Sequence, residues 1–366
     1  MKVRYSYLKQ QFSNCPELWS NLKKFVSTSD FTLGKELKIF EKKFAQLIGT
    51  KYALGVNSGT DALKLSLKAI NIQPGDEVIT AANTFVATVG AIIEVGAKPV
   101  FVDCDDTFCI NSKLIEKKIT KKTKALIPVH FTGYMPNMND IKKISRKYKL
   151  PIIEDACQSI LGSYGGKNAG TWGVAGAFSL HPLKNINVWS DGGIITTNNK
   201  KIYDKIKLLR NHGLIDRDTV KISGYNSRLD TLQAVVGNWI LPKAKKIASK
   251  RIENAKYLDK KLSQIDGIII PPRLKNIRSV FHLYIVFAKN RNRLLDYCKK
   301  KGIEAKVHYP KPMYLQESLR HLKYKKGDFP VTDAHVKKII TFPCDQHLSK
   351  SQLDYIFKTV KNFYDN

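Results

Sequence analysis

The chain has 366 residues, 43% of them apolar, and a formal net charge of +31 from 62 Lys and Arg against 31 Asp and Glu. That apolar fraction excludes a disordered chain, the length allows a large core and two lobes, and no apolar run reaches the ~18–20 residues of a membrane span. The start, MKVRYSYLKQQFSN, lacks the apolar block of a secretory signal, so a cytoplasmic protein is expected.

The lysines are spread along the whole chain, in stretches such as KKITKKTK and KKISRKYK, rather than gathered in one arm. A nucleic-acid binder concentrates its charge, so a solvated, lysine-rich surface is the expectation, with no nucleic-acid partner and no membrane. Six cysteines are scattered without a C-x-x-C pair. They read as free thiols of a reducing compartment, and no metal site is expected.

In chain order, TLGKELKIFEKKFAQLIG has helical spacing and stops at Gly49. YALGV is a short strand, and SGTDALKLSLKAI opens on a capping residue and continues as a helix. DEVIT is a strand, TFVATVGAIIEVG a helix, and KPVFVD, TKALIPVH, LPIIEDA and GVAGAFSL are buried strands, followed by GIITT. Alternating strands and helices over some 200 residues argue for a mainly parallel sheet covered on both faces. The pattern changes near Leu241 and Pro242. A long helical stretch, PKAKKIASKRIENAKYLDKKLSQI, leads into an α+β segment with strands FHLYIVFA and IEAKVHYP. We therefore expect a large lobe over 1–240, including an N-terminal helical segment, and a smaller one over 241–366.

No G-x-S-x-G, HExxH, Walker loop or strand-linked G-x-G-x-x-G is present. Serine-hydrolase, zinc-hydrolase, P-loop and dehydrogenase readings lack their residues. Four features remain. NSGTDAL turns a strand into a helix N-terminus, where free N–H groups and the dipole suit a phosphate; it is equally an ordinary cap. IIEDACQS places Glu154 and Asp155 at the end of an apolar strand, where a carboxylate is costly without a partner; Asp155 could instead cap a following helix. Lys184 follows the strand GAFSL in FSLHPLKNINVWSDGG, where an exposed loop lysine is the plain alternative. GYNSRLDTLQA reads only as a loop and then a helix. Together a strand-end lysine, a strand-end aspartate and a phosphate-binding helix start are the three anchors that pyridoxal phosphate needs: an amine for the Schiff base, a carboxylate for the pyridinium, and N–H groups for the phosphate.

NSGTDAL, NTFVAT, IIEDACQS, AFSLHPLKN with SDGG, LRNHGL, GYNSRLDTLQA, VHYPKPMYLQ and GDFPVTDAHVKKIITFPC follow one another in that order. The chain resembles the DegT/DnrJ/EryC1/StrS family of sugar aminotransferases from about residue 10 to its end. The resemblance implies a fold type I pyridoxal-phosphate enzyme that transfers an amino group from L-glutamate to a nucleotide-linked keto sugar. It implies that Lys184 forms the Schiff base, that Asp155 pairs with the ring nitrogen, and that Gln158 lies near the ring's 3′ oxygen. Gly59, Thr60 and Ser179 match phosphate-binding positions, and Phe85 the aromatic stacked on the ring. Asn226 matches a residue that reaches the phosphate from the other subunit, implying a homodimer with shared sites. Arg228, His308 and Tyr309 resemble substrate-side groups, also contributed across that interface.

A lysine at 184, rather than the histidine of a dehydratase offshoot, favours transamination. HPLKN is closer to members that aminate the 3-keto carbon than to those acting on a 4-keto sugar. The flanks HPL and NVWS are expected to face the substrate. A non-catalytic cofactor-binding regulator is the alternative of another class.

Overall fold

The computed structural model describes residues 1–365. Seven strands build the central sheet: β1 (Tyr52–Val56), β2 (Glu77–Ala81), β3 (Lys98–Val102), β4 (Thr123–Ile127), β5 (Ile153–Asp155), β8 (Ala175–Ser179) and β9 (Gly193–Thr197). One run is ordered β1-β9-β8-β5 and the other β3-β2-β4. Parallel bridges from Leu126 to Ile152 and from Val129 to Asp155 join the two through β4 and β5. Only β9 runs against its neighbours, antiparallel to both β1 and β8. The sheet is thus mainly parallel, as the strand–helix alternation required, and its strands are buried on both faces.

The helices that cover it form where the apolar spacing placed them. Lys35–Ile48 buries Leu37, Phe40, Phe44 and Ile48 on one stripe and ends on Gly49, whose φ of 89° is the left-handed stop. Gly59–Ala69 packs Leu63 and Leu67 against the opposite face of the sheet with Val56, Ile153 and Ile195.

A second core lies beyond residue 250. Strands β10 (Ile268–Ile269), β12 (Tyr284–Ala288) and β13 (Ile339–Phe342) form an antiparallel sheet in the order β10-β12-β13. The helices Ala244–Leu262 and Lys350–Asp365 pack on it through Leu258, Leu262, Leu353 and Ile356. Val3 and Tyr7, from the other end of the chain, join this core. A small hairpin, β6 (Ser163–Tyr164) and β7 (Lys167–Asn168), pairs with β11 (Ile277–Arg278).

The strand expected over IEAKVHYP does not form. Only isolated bridges form there: Ile303 pairs in parallel with Val3, and Lys306 bonds both ways with Thr341 at 3.0 and 2.8 Å. The chain leaves the sheet edge after that one residue and turns His308 and Tyr309 inward. No helix is long and apolar enough to cross a membrane among the described residues, and all six cysteines are free.

Candidate active site

The carboxyl ends of the parallel strands converge on a cavity of about 290 Å³. This is where an open α/β sheet presents its ligand site. The loop after β1 brings Ser58, Gly59 and Thr60; the loop after β2 brings Phe85; β8 ends on Ser179; and the loop from β8 to β9 carries Lys184.

Ser58 caps the helix Gly59–Ala69, its Oγ accepting the Asp61 N–H at 3.0 Å. The N–H groups of Gly59 and Thr60 then have no acceptor within the helix and point where the dipole is positive. Gly59 permits a close approach: a Cβ there would lie 2.8 Å from Ser179 Cβ and 2.9 Å from Cys157 Sγ. Gly193 does the same for β9, since its Cβ would meet the Ser58 carbonyl oxygen at 2.2 Å. The SDGG text thus lets a strand press against the helix start.

Asp155 and Glu154 separate by the alternation of a strand. Glu154 is fully buried on the face away from the cavity, where it accepts the N–H groups of Gly170 (2.8 Å), Trp172 (2.6 Å) and Gly173 (2.8 Å) and pairs with His130 Nε2 at 2.8 Å. Its role is to hold the 170–173 turn. Asp155, also buried, accepts the Thr88 hydroxyl at 2.7 Å on Oδ2 and the Cys157 N–H at 3.2 Å on Oδ1. The helix that Asp155 could have capped is absent; a turn follows it.

Lys184 is held by its backbone. Its N–H donates to the His181 carbonyl at 2.8 Å, its own carbonyl accepts from Asn187 Nδ2 at 3.0 Å, and Asn185 Nδ2 ties the loop to the Val280 carbonyl at 3.0 Å. Burial pushes the Lys184 ammonium below the usual lysine range, opposed by the nearby Asp155 carboxylate. Burial likewise raises the Cys157 thiol, so it stays protonated. Three imidazoles line the same space. Burial, then Lys306 and Lys184, lower His308 to about 4. Burial, with Lys184 and Arg251, holds His282 well below its ordinary value, and His181 is lowered too. The cavity therefore holds neutral imidazoles around a lysine whose amine is easily deprotonated.

Of the predicted residues, Gly59, Thr60, Phe85, Ser179, Lys184, His308 and Tyr309 line the cavity. The Phe85 and Tyr309 rings are 5.7 Å apart. Gln158 lies just behind, its Oε1 accepting the Thr132 N–H at 2.7 Å and its amide pairing with the Tyr309 hydroxyl. Asn226 and Arg228 do not line the cavity of their own chain. Arg228 Nε donates to Asn226 Oδ1 at 2.9 Å, and Arg228 Nη1 donates to Asn211 Oδ1 at 3.2 Å, so the two are tied to each other and to Asn211.

The flanks of Lys184 divide. His181 and Leu183 line the cavity, but Val188 is in the core and Trp189 packs on Phe12 and Trp19 at 5.9 and 5.3 Å, so NVWS is largely structural. Sequence reasoning missed Tyr5, Cys157, His282 and Lys306. Cys157 stood in view inside IIEDACQS, two residues past Asp155. Tyr5 had no signal at all, because its place depends on pairing across the full length of the chain. Among the described residues no cluster of His, Cys, Asp or Glu could hold a metal ion.

Residues 16–361 match the model of the DegT/DnrJ/EryC1/StrS aminotransferase family. The chain belongs to this family. A UDP-2-acetamido-2-deoxy-3-oxo-D-glucuronate aminotransferase of Pseudomonas aeruginosa is 34% identical over 94% of this chain and 95% of its own length. A "pleiotropic regulatory protein" of Geobacillus stearothermophilus is 36% identical over 100% and 99%. The crystal structure of S. venezuelae DesV in complex with a ketimine intermediate superposes with a TM-score of 0.97, at 30% identity, covering 100% of this chain and 99% of that one. The DegT/DnrJ/EryC1/StrS chain is thus an aminotransferase of fold type I in a pyridoxal-phosphate-dependent family, whose solved neighbours include PMP- and PLP-bound forms.

Proposed function

We propose that this chain moves the amino group of L-glutamate to the 3-keto carbon of a nucleotide-linked sugar, for amino-sugar and surface-polysaccharide precursors, in the cytoplasm. The observation that carries the reading is one cavity lined by a lysine amine and a free helix N-terminus, with the buried strand-end carboxylate of Asp155 behind its wall and close enough to act on the lysine. The 3-keto choice is supported by the HPLKN flank and by the relative named for a 3-oxo sugar. A 4-keto acceptor is the alternative within the family.

The residues present fit pyridoxal phosphate. The cradle at Gly59, closed to any side chain, suits a phosphate on the Gly59 and Thr60 N–H groups and the Ser179 hydroxyl. Asp155, held by Thr88, would keep a ring nitrogen protonated. Phe85 would cover the ring, and Gln158 would lie near its 3′ oxygen. When bound, the cofactor supplies an aldehyde for amine exchange and a protonated ring that withdraws electrons. Lys184, the amine that bonds it at rest, then serves as the base and acid that moves the proton at the amino donor's Cα. Its lowered basicity keeps the neutral amine available.

Asn226 and Arg228 lie outside their own chain's cavity, which supports a homodimer in which each subunit lends them to the other's phosphate and substrate. His308 and Tyr309, expected from across the interface, instead line the cavity of their own chain and are read as that chain's own substrate-side groups. The same reading makes 1–240 the cofactor-binding lobe and 241–366 the smaller lobe. One relative's regulatory name favours a second reading, a cofactor-binding regulator.

Single-turnover exposure of the purified holoprotein to glutamate, followed by absorbance, separates the two readings. Conversion supports transamination, and none would leave only the regulator. A panel of nucleotide-linked 3- and 4-keto sugars, read by product mass, then tests the acceptor.

A further inference from the structure

The first residues of the chain bring Tyr5 to the cavity wall. Val3 pairs with Ile303, its N–H donating to the Gly302 carbonyl at 2.9 Å and its carbonyl accepting the Glu304 N–H at 2.9 Å. Two residues on, the Tyr5 N–H donates to Glu304 Oε2 at 2.8 Å. This places the Tyr5 ring on the cavity wall beside two groups of the opposite segment. His308 stacks on it, centroids 5.7 Å apart at 29°. Lys306 Nζ also lies 4.2 Å from the ring centroid, within cation–π range. Both partners are on fixed backbone: Lys306 is the residue bonded both ways to Thr341, and His308 Nδ1 lies 2.9 Å from Thr341 Oγ1.

Lys306 is exposed, lines the cavity and enters no ion pair among the described residues. The nearest acidic residue in the sequence, Glu304, is occupied by the Tyr5 N–H. The ammonium is therefore held over an aromatic face on the cavity wall without an ion-pair partner among the described residues. The cavity, about 290 Å³, is at the small end of the ~300–1,000 Å³ of ligand pockets. A nucleotide-linked sugar beside a cofactor would exceed that volume, so the part attached to the sugar would leave past the wall that Tyr5 and Lys306 line.

We propose that Tyr5 and Lys306 determine acceptor specificity, holding the phosphate-bearing part of the substrate where it leaves the cavity. The inference rests on the nucleotide-sugar aminotransferase reading above and adds to it the residues that grip the leaving end. Tyr5 fixes the ammonium, and Lys306 supplies the point charge to phosphate oxygens. The amino donor, which carries no phosphate, does not need the pair.

The test uses holoprotein of the wild type and of Lys306→Gln, Tyr5→Phe and Tyr5→Ala. UDP and dTDP alone are titrated by calorimetry at low and high salt, and the glutamate half-reaction is followed by absorbance in each. Losing one charge-assisted contact is worth about tenfold in affinity. Lys306→Gln is expected to weaken nucleotide binding by that factor and flatten its salt dependence. It should raise the acceptor KM alike, well beyond its effect on the glutamate half-reaction. Tyr5→Phe, which keeps the ring, should bind as the wild type does, and Tyr5→Ala should follow Lys306→Gln. Unchanged nucleotide binding in Lys306→Gln, or equal losses in the two half-reactions, would overturn the assignment. A wild type that converts glutamate but binds neither diphosphate overturns this assignment alone; one that does not convert glutamate overturns the aminotransfer reading itself.

Discussion

The Thr88 hydroxyl donates a 2.7 Å hydrogen bond to Asp155 Oδ2, and both groups are buried. A helix from the β2 side of the sheet thus sets the orientation of a carboxylate at the end of β5. Thr88→Val keeps the shape and removes the donor. It should slow the glutamate half-reaction about tenfold, as loss of one hydrogen bond to a charged group does. Asp155→Asn should slow it by at least about a hundredfold while the protein stays folded. Near-normal single-turnover rates in Asp155→Asn would count against the pairing with a ring nitrogen.

Lys184→Ala should abolish turnover and the near-visible absorption of lysine-bound cofactor. Because burial disfavours its ammonium, the cofactor-free variant should melt no lower than the cofactor-free wild type. In the wild type the neutral amine gains population as pH rises through the lowered value. The glutamate half-reaction should therefore accelerate with pH and level off below the ordinary lysine range. A rate that keeps rising to the usual lysine value is the outcome against it.

Glu154, one residue from Asp155, should behave in the opposite way. Glu154→Ala strands three N–H groups, the one of Gly170 buried, together with buried His130, and should cost roughly 3–5 kcal/mol in urea unfolding. Asp155→Asn should cost far less stability and far more rate. Equal stability losses in the two variants would contradict this division of labour.

His308 titrates at about 4 when folded, against an ordinary 6.5. Between those values the unfolded chain binds more protons than the folded one, so stability rises with pH. Its contribution is present above pH 6.5 and lost as pH falls toward 4, by roughly 3 kcal/mol at most. His308→Gln should flatten part of the fall in unfolding free energy between pH 7 and 5. An unchanged slope would show that His308 is not held neutral.

Much of the site was legible because its chemistry is local. Lys184, Asp155 and Gly59 each follow an apolar strand, and in a parallel sheet strand ends share one edge. The alternation over residues 52–197 determined the layered fold, and Gly49 its first helix stop. What the alternation could not say was which of Glu154 and Asp155 faces the cavity. Period two puts them on opposite faces without naming the faces, and the turn at 170–173 and Thr88 decide it. IEAKVHYP has a strand's composition, yet it forms only two isolated bridges, Ile303 to Val3 and Lys306 to Thr341. Trp189 reads as a substrate neighbour beside Lys184, yet it packs with Phe12 and Trp19. Tyr5 and Lys306 meet across some 300 residues of chain. A one-dimensional pattern encodes period and propensity, which act over a few residues. The meeting of distant segments is set by packing, so this wall of the cavity was decided by the tertiary structure alone.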